Sequence, residues 1–281
     1  MRIAITAASG HLGSEIVKAT SSIFPEADVV ALARTPERAR GLGVEVLPGD
    51  YEDRAELEHS LRDVDSVLLV SGMAAPDLRI EQHRNVIEAA RNSGVRKLVY
   101  TSVQGAESGT AFSPIVASNR QTEEDIRSSG LDWAIGRNGI YIEPDVEYVQ
   151  SYVEMGGIRN CASDGRCGYT TRSELAYAYA QILADDRHIG HTYNLHGDAI
   201  TQQELADYIN GAFGTELTYT SMTVDEYRDD RIAELGEFMG QVIAGIYEGI
   251  REGAADNPSH YELAAGKEHV SWPEYFGQLA N

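Results

Sequence analysis

The chain of 281 residues contains only three lysines, Lys18, Lys97 and Lys267, so its basic charge is nearly all arginine. It is short of basic charge altogether: 23 Lys and Arg stand against 44 Asp and Glu, a formal net charge of −21. With no basic patch to offset repulsion, the composition argues against nucleic acid or an anionic membrane as partner. No window of eighteen apolar residues occurs, so no membrane-spanning helix is expected. No basic-then-apolar leader precedes the first strand, and a cytoplasmic location is the expectation. The two cysteines, Cys161 and Cys167, match no common zinc spacing. They are expected to be free thiols, with a redox pair as the alternative. His188, His191 and His196 flank a turn and a strand, with no carboxylate at a convincing ligand spacing, and are expected to be surface histidines.

What is present starts at the N-terminus, with M-R-I-A-I-T-A-A-S-G-H-L-G over Met1 to Gly13. A short apolar strand from Ile3 to Thr6 runs into a small-residue turn ending Gly10-x-x-Gly13, and an amphipathic helix follows (Leu12, Ile16, Val17, Ala19). Backbone N–H groups and the helix dipole then point at one spot, where missing side chains let an anion come close. A dinucleotide pyrophosphate is the first hypothesis, with Thr6, Ser9, Gly10, His11, Leu12 and Gly13 as expected contacts. The usual fingerprint has three glycines; here the first position holds Ala7 or Ala8.

The first half alternates β-rich and helical runs. Strands are expected at 2–6, 28–33, 44–47, 66–70, 97–101 and 131–135, with helices near 12–22, 36–41, 53–62, 79–94 and 119–129. Fully apolar strands such as Val67-Leu68-Leu69-Val70 suit a parallel sheet buried on both faces. The pattern predicts an α/β fold, a Rossmann-like doubly wound parallel sheet. Beyond it, helices near 143–154, 172–185, 202–212 and 236–252 mix with strands near 191–195 and 216–220. The expected division is a nucleotide-binding domain over 1–138 and a smaller, discontinuous α/β lobe over 139–281. A segment near 165–188 is expected to pack back on the first domain, Gly190 to Ser221 to belong to the lobe, and Asp225 to Asp230 to be a solvated helix face.

The second strand ends at Ala33-Arg34-Thr35-Pro36. A carboxylate near here would select NAD by bonding the ribose 2′-hydroxyl; Arg34 suits the 2′-phosphate of NADP instead, with Arg38 or Arg40 adding charge. Read structurally, Arg34 is an exposed loop arginine. Asp50 and Tyr51, after the third strand, could flank an adenine, or Asp50 could cap the following helix. Ser71, Gly72 and Met73 end the fourth strand, where small residues let a ribose lie against backbone. Thr101, Ser102 and Gln104 end the fifth and should face the reactive ring.

These motifs converge. The chain resembles the NmrA-like, atypical short-chain dehydrogenases, and within them the bacterial quinone oxidoreductase type 2 and triphenylmethane reductase group. The resemblance rests on I-T-A-A-S-G-H-L-G at 5–13, A-R-T-P-E-R-A at 33–39, P-G-D-Y at 48–51 and Q-H-R-N-V-I-E-A-A at 82–90. It extends through G-V-R-K-L-V-Y-T-S at 94–102, R-N-G-I-Y at 137–141 and T-R-S-E-L-A at 171–176. It implies NADP(H) as cofactor, with NAD(H) use open, and a small-molecule electron acceptor as partner; a homodimer is compatible with it. It places Gly10, Gly13 and Arg34 at the phosphates, Ser71 and Gly72 beside the ribose, and Asn138 and Tyr141 near the nicotinamide and substrate cleft. The chain departs from the pattern at Ala7, and at Asn119, where close relatives tend to carry histidine.

None of the fifteen tyrosines has lysine four residues on, so the Tyr-x-x-x-Lys pair of ordinary short-chain dehydrogenases is absent. A quinone or cationic dye-like acceptor takes hydride readily and needs positioning more than acid catalysis. An NADPH-dependent reductase of such acceptors is the leading expectation, with Tyr141 as proton donor or hydrogen bond to substrate, and Asn138 and Gln104 as further polar candidates. Met73, Tyr141, Tyr148, Phe238, Met239, Ile246 and Tyr247 are candidates for the cleft wall; the last four also fit plain core packing. The alternative is a nucleotide-sensing regulator without turnover. An epimerase or dehydratase of nucleotide sugars would need the missing Tyr and Lys.

Overall fold

A computed structural model describes residues 1–280. In chain order the first half comprises β1 (Arg2–Ile5), α1 (His11–Ile23), β2 (Asp28–Ala33), β3 (Glu45–Pro48), α2 (Arg54–Ser60), β4 (Ser66–Val70), α3 (Pro76–Asn92), β5 (Lys97–Val103), α4 (Ser113–Arg127) and β6 (Asp132–Asn138). A 3-10 turn, Pro36–Leu42, links β2 to β3. Next come β7 (Ile140–Tyr141), α5 (Glu143–Glu147), α6 (Val149–Met155), β8 (Ile158–Asn160), β9 (Cys167–Thr170), α7 (Arg172–Ala184), β10 (His191–Leu195) and β11 (Ala199–Ile200). The chain closes with α8 (Gln202–Phe213), β12 (Tyr219–Ser221), α9 (Val224–Leu235), α10 (Glu237–Arg251), α11 (Tyr261–Ala265) and α12 (Trp272–Leu279).

Seven strands form one parallel sheet in the order β10-β6-β5-β4-β1-β2-β3. The direction of winding reverses between β1 and β4, and ligands of doubly wound sheets bind outside the carboxyl ends at such a switch point. The central strands are apolar on both sides because both faces are covered. On one face Ile3, Ile5 and Leu68 pack with Leu12 and Ile16 of α1 and Leu175, Tyr179 and Ile182 of α7. On the other, Ala4, Val67 and Leu69 meet Leu57 of α2, Val86 and Ala90 of α3 and Ile126 of α4. A third core, built on Ile158, Tyr169, Leu205, Ile209, Trp272 and Phe276, joins the later elements. Helices α8 and α9 are each started by a capping box, Thr201 with Glu204 and Thr223 with Glu226.

The structure corrects several expectations. The strand at 191–195 belongs to the main sheet as β10, beside β6, and not to a separate lobe. His188 and His196 are consequently buried, His188 Nδ1 pairing with the Tyr193 hydroxyl; of these three, His191 alone is exposed. Among the described residues no group of three or more His, Cys, Asp or Glu is arranged to hold a metal ion. Both cysteines are free and buried. Helices α3 and α4 start earlier than expected because Pro76 and Pro114 occupy their first turns, where proline's missing N–H costs nothing. The stretch 143–154 breaks into α5 and α6 at Tyr148. The acidic run 225–230 is not wholly solvated, since Tyr227 within it is buried. No helix among the described residues is long and apolar enough to cross a membrane.

Lys97 is fully buried at the start of β5, and its ammonium donates to the Ile182 and Asp185 carbonyls at 2.6 and 2.7 Å, at the C-terminus of α7. This cation completes the helix end, where unsatisfied carbonyls and the helix dipole favour positive charge. Glu123 of α4 is a second fully buried charge. It bonds Arg120, Arg127 and Arg137, and its Oε1 accepts from the Ser102 hydroxyl at 2.7 Å. Burial alone would raise its carboxyl, but the hydrogen bonds from Arg137 and Ser102 and the charge of Arg120 outweigh that and hold it below the ordinary range. Replacing Glu123 with Gln should therefore destabilise the fold by about 1–3 kcal/mol, because three guanidinium groups lose their common partner but keep access to solvent. Urea unfolding at pH 7 measures this. The stability that Glu123 contributes is present above the unfolded carboxyl's range and is lost as pH falls through its depressed folded value, so the variant's deficit should shrink under acid.

Candidate active site

One cavity of about 1220 Å³ opens along the carboxyl edge of the sheet and continues beneath α9 and α10. That is larger than the roughly 300–1,000 Å³ of a pocket for one small molecule, so it has room for a dinucleotide and a second compound.

At one end lies the turn between β1 and α1. Ala7 adopts a left-handed conformation (φ 48°), the shape that the absent first glycine would supply. The Gly10 N–H donates to the Ala7 carbonyl at 2.9 Å, closing the turn. A Cβ on Gly13 would stand 2.5 Å from that same oxygen, so glycine is required where α1 passes the turn. Ser9, Gly10, His11, Leu12 and Gly13 all line the cavity, whereas Thr6 does not. Thr6 is a correction. It is fully buried, its Oγ1 accepts from Val70 N–H at 3.0 Å, and it bonds the Tyr51 hydroxyl, which donates to the Val70 carbonyl at 2.8 Å. Thr6 thus ties β1 to β4 under the crevice rather than touching what lies in it.

Arg34 and Arg38 stand exposed on the cavity's rim, and neither guanidinium has a hydrogen-bond or ion-pair partner among the described residues. Arg40 instead pairs with Glu37 and lies off the cavity. Asp50 and Tyr51 both line the wall; the helix cap is made by Asp53, whose side chain accepts from Glu56 N–H. Beyond them Ser71, Gly72 and the highly exposed Met73 follow β4. This loop is held from three sides. Ser71 N–H donates to Thr101 Oγ1 at 2.8 Å, Ser71 Oγ donates to Asn119 Oδ1 at 3.1 Å, and Gly72 N–H donates to His83 Nε2 at 3.0 Å. Burial, and then the charge of Arg79, pushes His83 down to about 3 and keeps it neutral, so it can accept there while Nδ1 meets Thr122. Asn119 also accepts from the Tyr100 hydroxyl at 2.6 Å. The departure from histidine at 119 therefore leaves an amide that braces the loop.

Thr101, Ser102, Asn138 and Tyr141 line the middle of the cavity. The Tyr179 hydroxyl donates to Asn138 Oδ1 at 2.6 Å and so orients its amide. Burial pushes the Tyr141 phenol up, against the lowering effects of Asn138 and Arg172, so it stays protonated and holds its proton tightly. Gln104 is a second correction: it lies outside the cavity, almost completely buried, with its Oε1 taken by the Asn257 amide at 3.0 Å. The far end is walled by Tyr148, Tyr152, Tyr227, Met239, Ile246 and Tyr247; Phe238 lies off the cavity and is exposed. Asp145, Tyr152 and Arg231 here were not foreseen from sequence. No lysine lines the cavity.

These features fit a dinucleotide carrying an extra phosphate: a side-chain-free cradle at a helix N-terminus, and two unpaired arginines in a chain of net charge −21. A profile of the NAD(P)H-binding family matches residues 7–186. The chain belongs to the NAD(P)H-binding family. Among its relatives it is 33% identical over 229 residues to quinone oxidoreductase 2 of Escherichia coli, covering 80% of this chain and 79% of the relative. It is 30% identical over 255 residues to (4-alkanoyl-5-oxo-2,5-dihydrofuran-3-yl)methyl phosphate reductase of Streptomyces griseus, covering 90% and 88%. In structure it is similar to the Citrobacter sp. triphenylmethane reductase complexed with NADP(H), with a TM-score of 0.90, 30% identity and 99% of each chain covered. The cofactor the family match assigns to this chain is therefore NAD(P)H.

The cradle gives a direct prediction. Gly13→Val should abolish NADPH binding, because its side chain would enter the Ala7 backbone. Ala7→Gly should retain binding and change stability by no more than about 1 kcal/mol, on the stabilising side, since relief of the left-handed strain slightly exceeds the gain in unfolded-chain entropy. Fluorescence titration with NADPH and urea unfolding of both variants check this.

Proposed function

We propose that the protein is an NADPH-dependent oxidoreductase that transfers hydride to a quinone or a similarly soft electrophilic acceptor. The observation that carries this reading is the continuity of one cavity, from two unpaired arginines and a glycine cradle to a tyrosine-walled chamber with no lysine in it. Bound NADPH supplies hydride chemistry. The chain's residues supply position: Gly10, Gly13 and Ser9 take the pyrophosphate, and Arg34 with Arg38 the 2′-phosphate. Ser71, Gly72, Thr101 and Ser102 support the ribose and ring, and Asn138 with Tyr141 directs the acceptor. The relatives described as a quinone oxidoreductase and a triphenylmethane reductase support this choice of acceptor. So does the absence of a Tyr-x-x-x-Lys pair, because a soft acceptor needs proximity and exclusion of water more than polarisation of a carbonyl.

NADPH and NADH titrations, followed by cofactor oxidation with benzoquinone and with a cationic triphenylmethane dye, test the reading. NADPH should bind more tightly than NADH and turn over with at least one acceptor. Arg34→Ala should weaken NADPH about 10- to 100-fold, the worth of a charge-assisted phosphate contact, and leave NADH nearly unchanged. Tight binding without turnover on quinone, dye and carbonyl compounds would overturn the enzyme reading in favour of a sensor.

A further inference from the structure

The acceptor end of the cavity holds a carboxyl group that hydride positioning does not use. Asp145 lies in α5, four residues beyond Tyr141, and faces the cavity while only 5% exposed. Its Oδ1 accepts from the Tyr152 hydroxyl at 2.6 Å, and no arginine, lysine or histidine pairs with it among the described residues. The titratable groups that face it are Tyr152 from α6, Cys167 and Tyr169 from β9, Tyr227 from α9 and Tyr247 from α10. All of these are neutral near pH 7. A carboxylate buried without a cation is costly, so burial shifts this group toward its protonated form.

We propose that Asp145, backed by Tyr152, is the acid that delivers a proton to the acceptor as it is reduced. This assignment rests on the reductase reading above. The balance for a quinone is simple. Two electrons and one proton arrive together as hydride from NADPH, leaving NADP⁺ and a hydroquinone monoanion. The Asp145 O–H bond breaks, an O–H bond forms on the hydroquinone oxygen, and the carboxylate regains its proton from solvent through the cavity mouth. Asp145 suits this role better than Tyr141. Burial raises both groups, but it brings the carboxyl only to about 6, with Tyr152 restraining the rise, whereas the phenol is driven further from neutrality.

A cationic triphenylmethane dye separates the proton from the hydride, because hydride alone converts the cation to a neutral product. The test measures kcat for benzoquinone and for the dye from pH 5 to 8 in the NADPH-saturated enzyme. Quinone reduction should fall as pH rises through about 6, as Asp145 loses its proton. In Asp145→Asn that limb should vanish, and the ratio of quinone to dye kcat at pH 5.5 should drop at least about tenfold. Tyr152→Phe removes a hydrogen bond that favours the carboxylate, so the limb should move to higher pH. Thermal unfolding confirms that the variants fold, and Asp145→Asn should gain stability on going from pH 5 to 8 relative to wild type. An unchanged quinone profile in Asp145→Asn, or an equal loss with both acceptors, overturns the assignment while leaving the reductase reading intact. Wild-type enzyme inactive with both acceptors removes both.

Discussion

The structure depends on how the ends of β1 and β4 are joined. At the switch point neighbouring strands turn to opposite sides, and the crevice between them needs a floor. Thr6, Tyr51 and Val70 supply it: the Val70 N–H and carbonyl, which would otherwise be open at the strand end, are both satisfied by side chains from β1 and the loop after β3. With that floor closed, the turn at Ala7 to Gly13 can present its N–H groups upward, and the loop after β4 can lie flat along the opposite lip. His83, Asn119 and Thr101 fix that loop through the backbone and hydroxyl of Ser71 and the N–H of Gly72. The geometry that receives a dinucleotide is therefore preset by buried, neutral hydrogen bonds, which hold a fixed shape in a low-dielectric setting.

Charge is divided along the cavity to match. The nucleotide end carries guanidinium groups without partners, Arg34 and Arg38, in a protein whose other charges are mostly acidic. In the middle, Glu123 gathers Arg120, Arg127 and Arg137 and withdraws their charge from the site. Beyond Tyr141 the wall becomes aromatic, with the edge-to-face pairs Tyr148–Tyr152 and Tyr227–Tyr247. Such faces offer flat apolar surface for a ring to pack against. The three lysines contribute none of this: Lys97 is spent on the end of α7, and Lys267 pairs with Glu174.

The nucleotide-binding half was largely legible in the sequence because it is local. Strand, turn and helix follow one another, and positions just past each parallel strand fall on one edge by topology. Arg34, Asp50, Ser71 and Asn138 were placed that way and line the cavity. Thr6 was misread because it is the last residue before the turn, where the side chain points beneath the crevice rather than into it. Gln104 was misread because its orientation is set by Asn257, 153 residues away. His188 and His196 looked like surface residues because the strand between them reads as isolated until it is known to pair with β6. Asp145 was invisible for the same reason. In I-E-P-D-V-E it is one acidic residue among three, and only the packing of α6, α9 and α10 around it makes it different.

The proposed reaction is direct delivery of hydride to an acceptor in the tyrosine-walled chamber. The most direct measurement uses NADPH carrying deuterium on the transferable face of nicotinamide C4, with a cationic triphenylmethane dye as acceptor, and mass spectrometry of the product. Direct transfer leaves one deuterium on the central carbon of the reduced dye, where it cannot exchange with water. A reduced dye without deuterium, from either face of labelled NADPH, would contradict it.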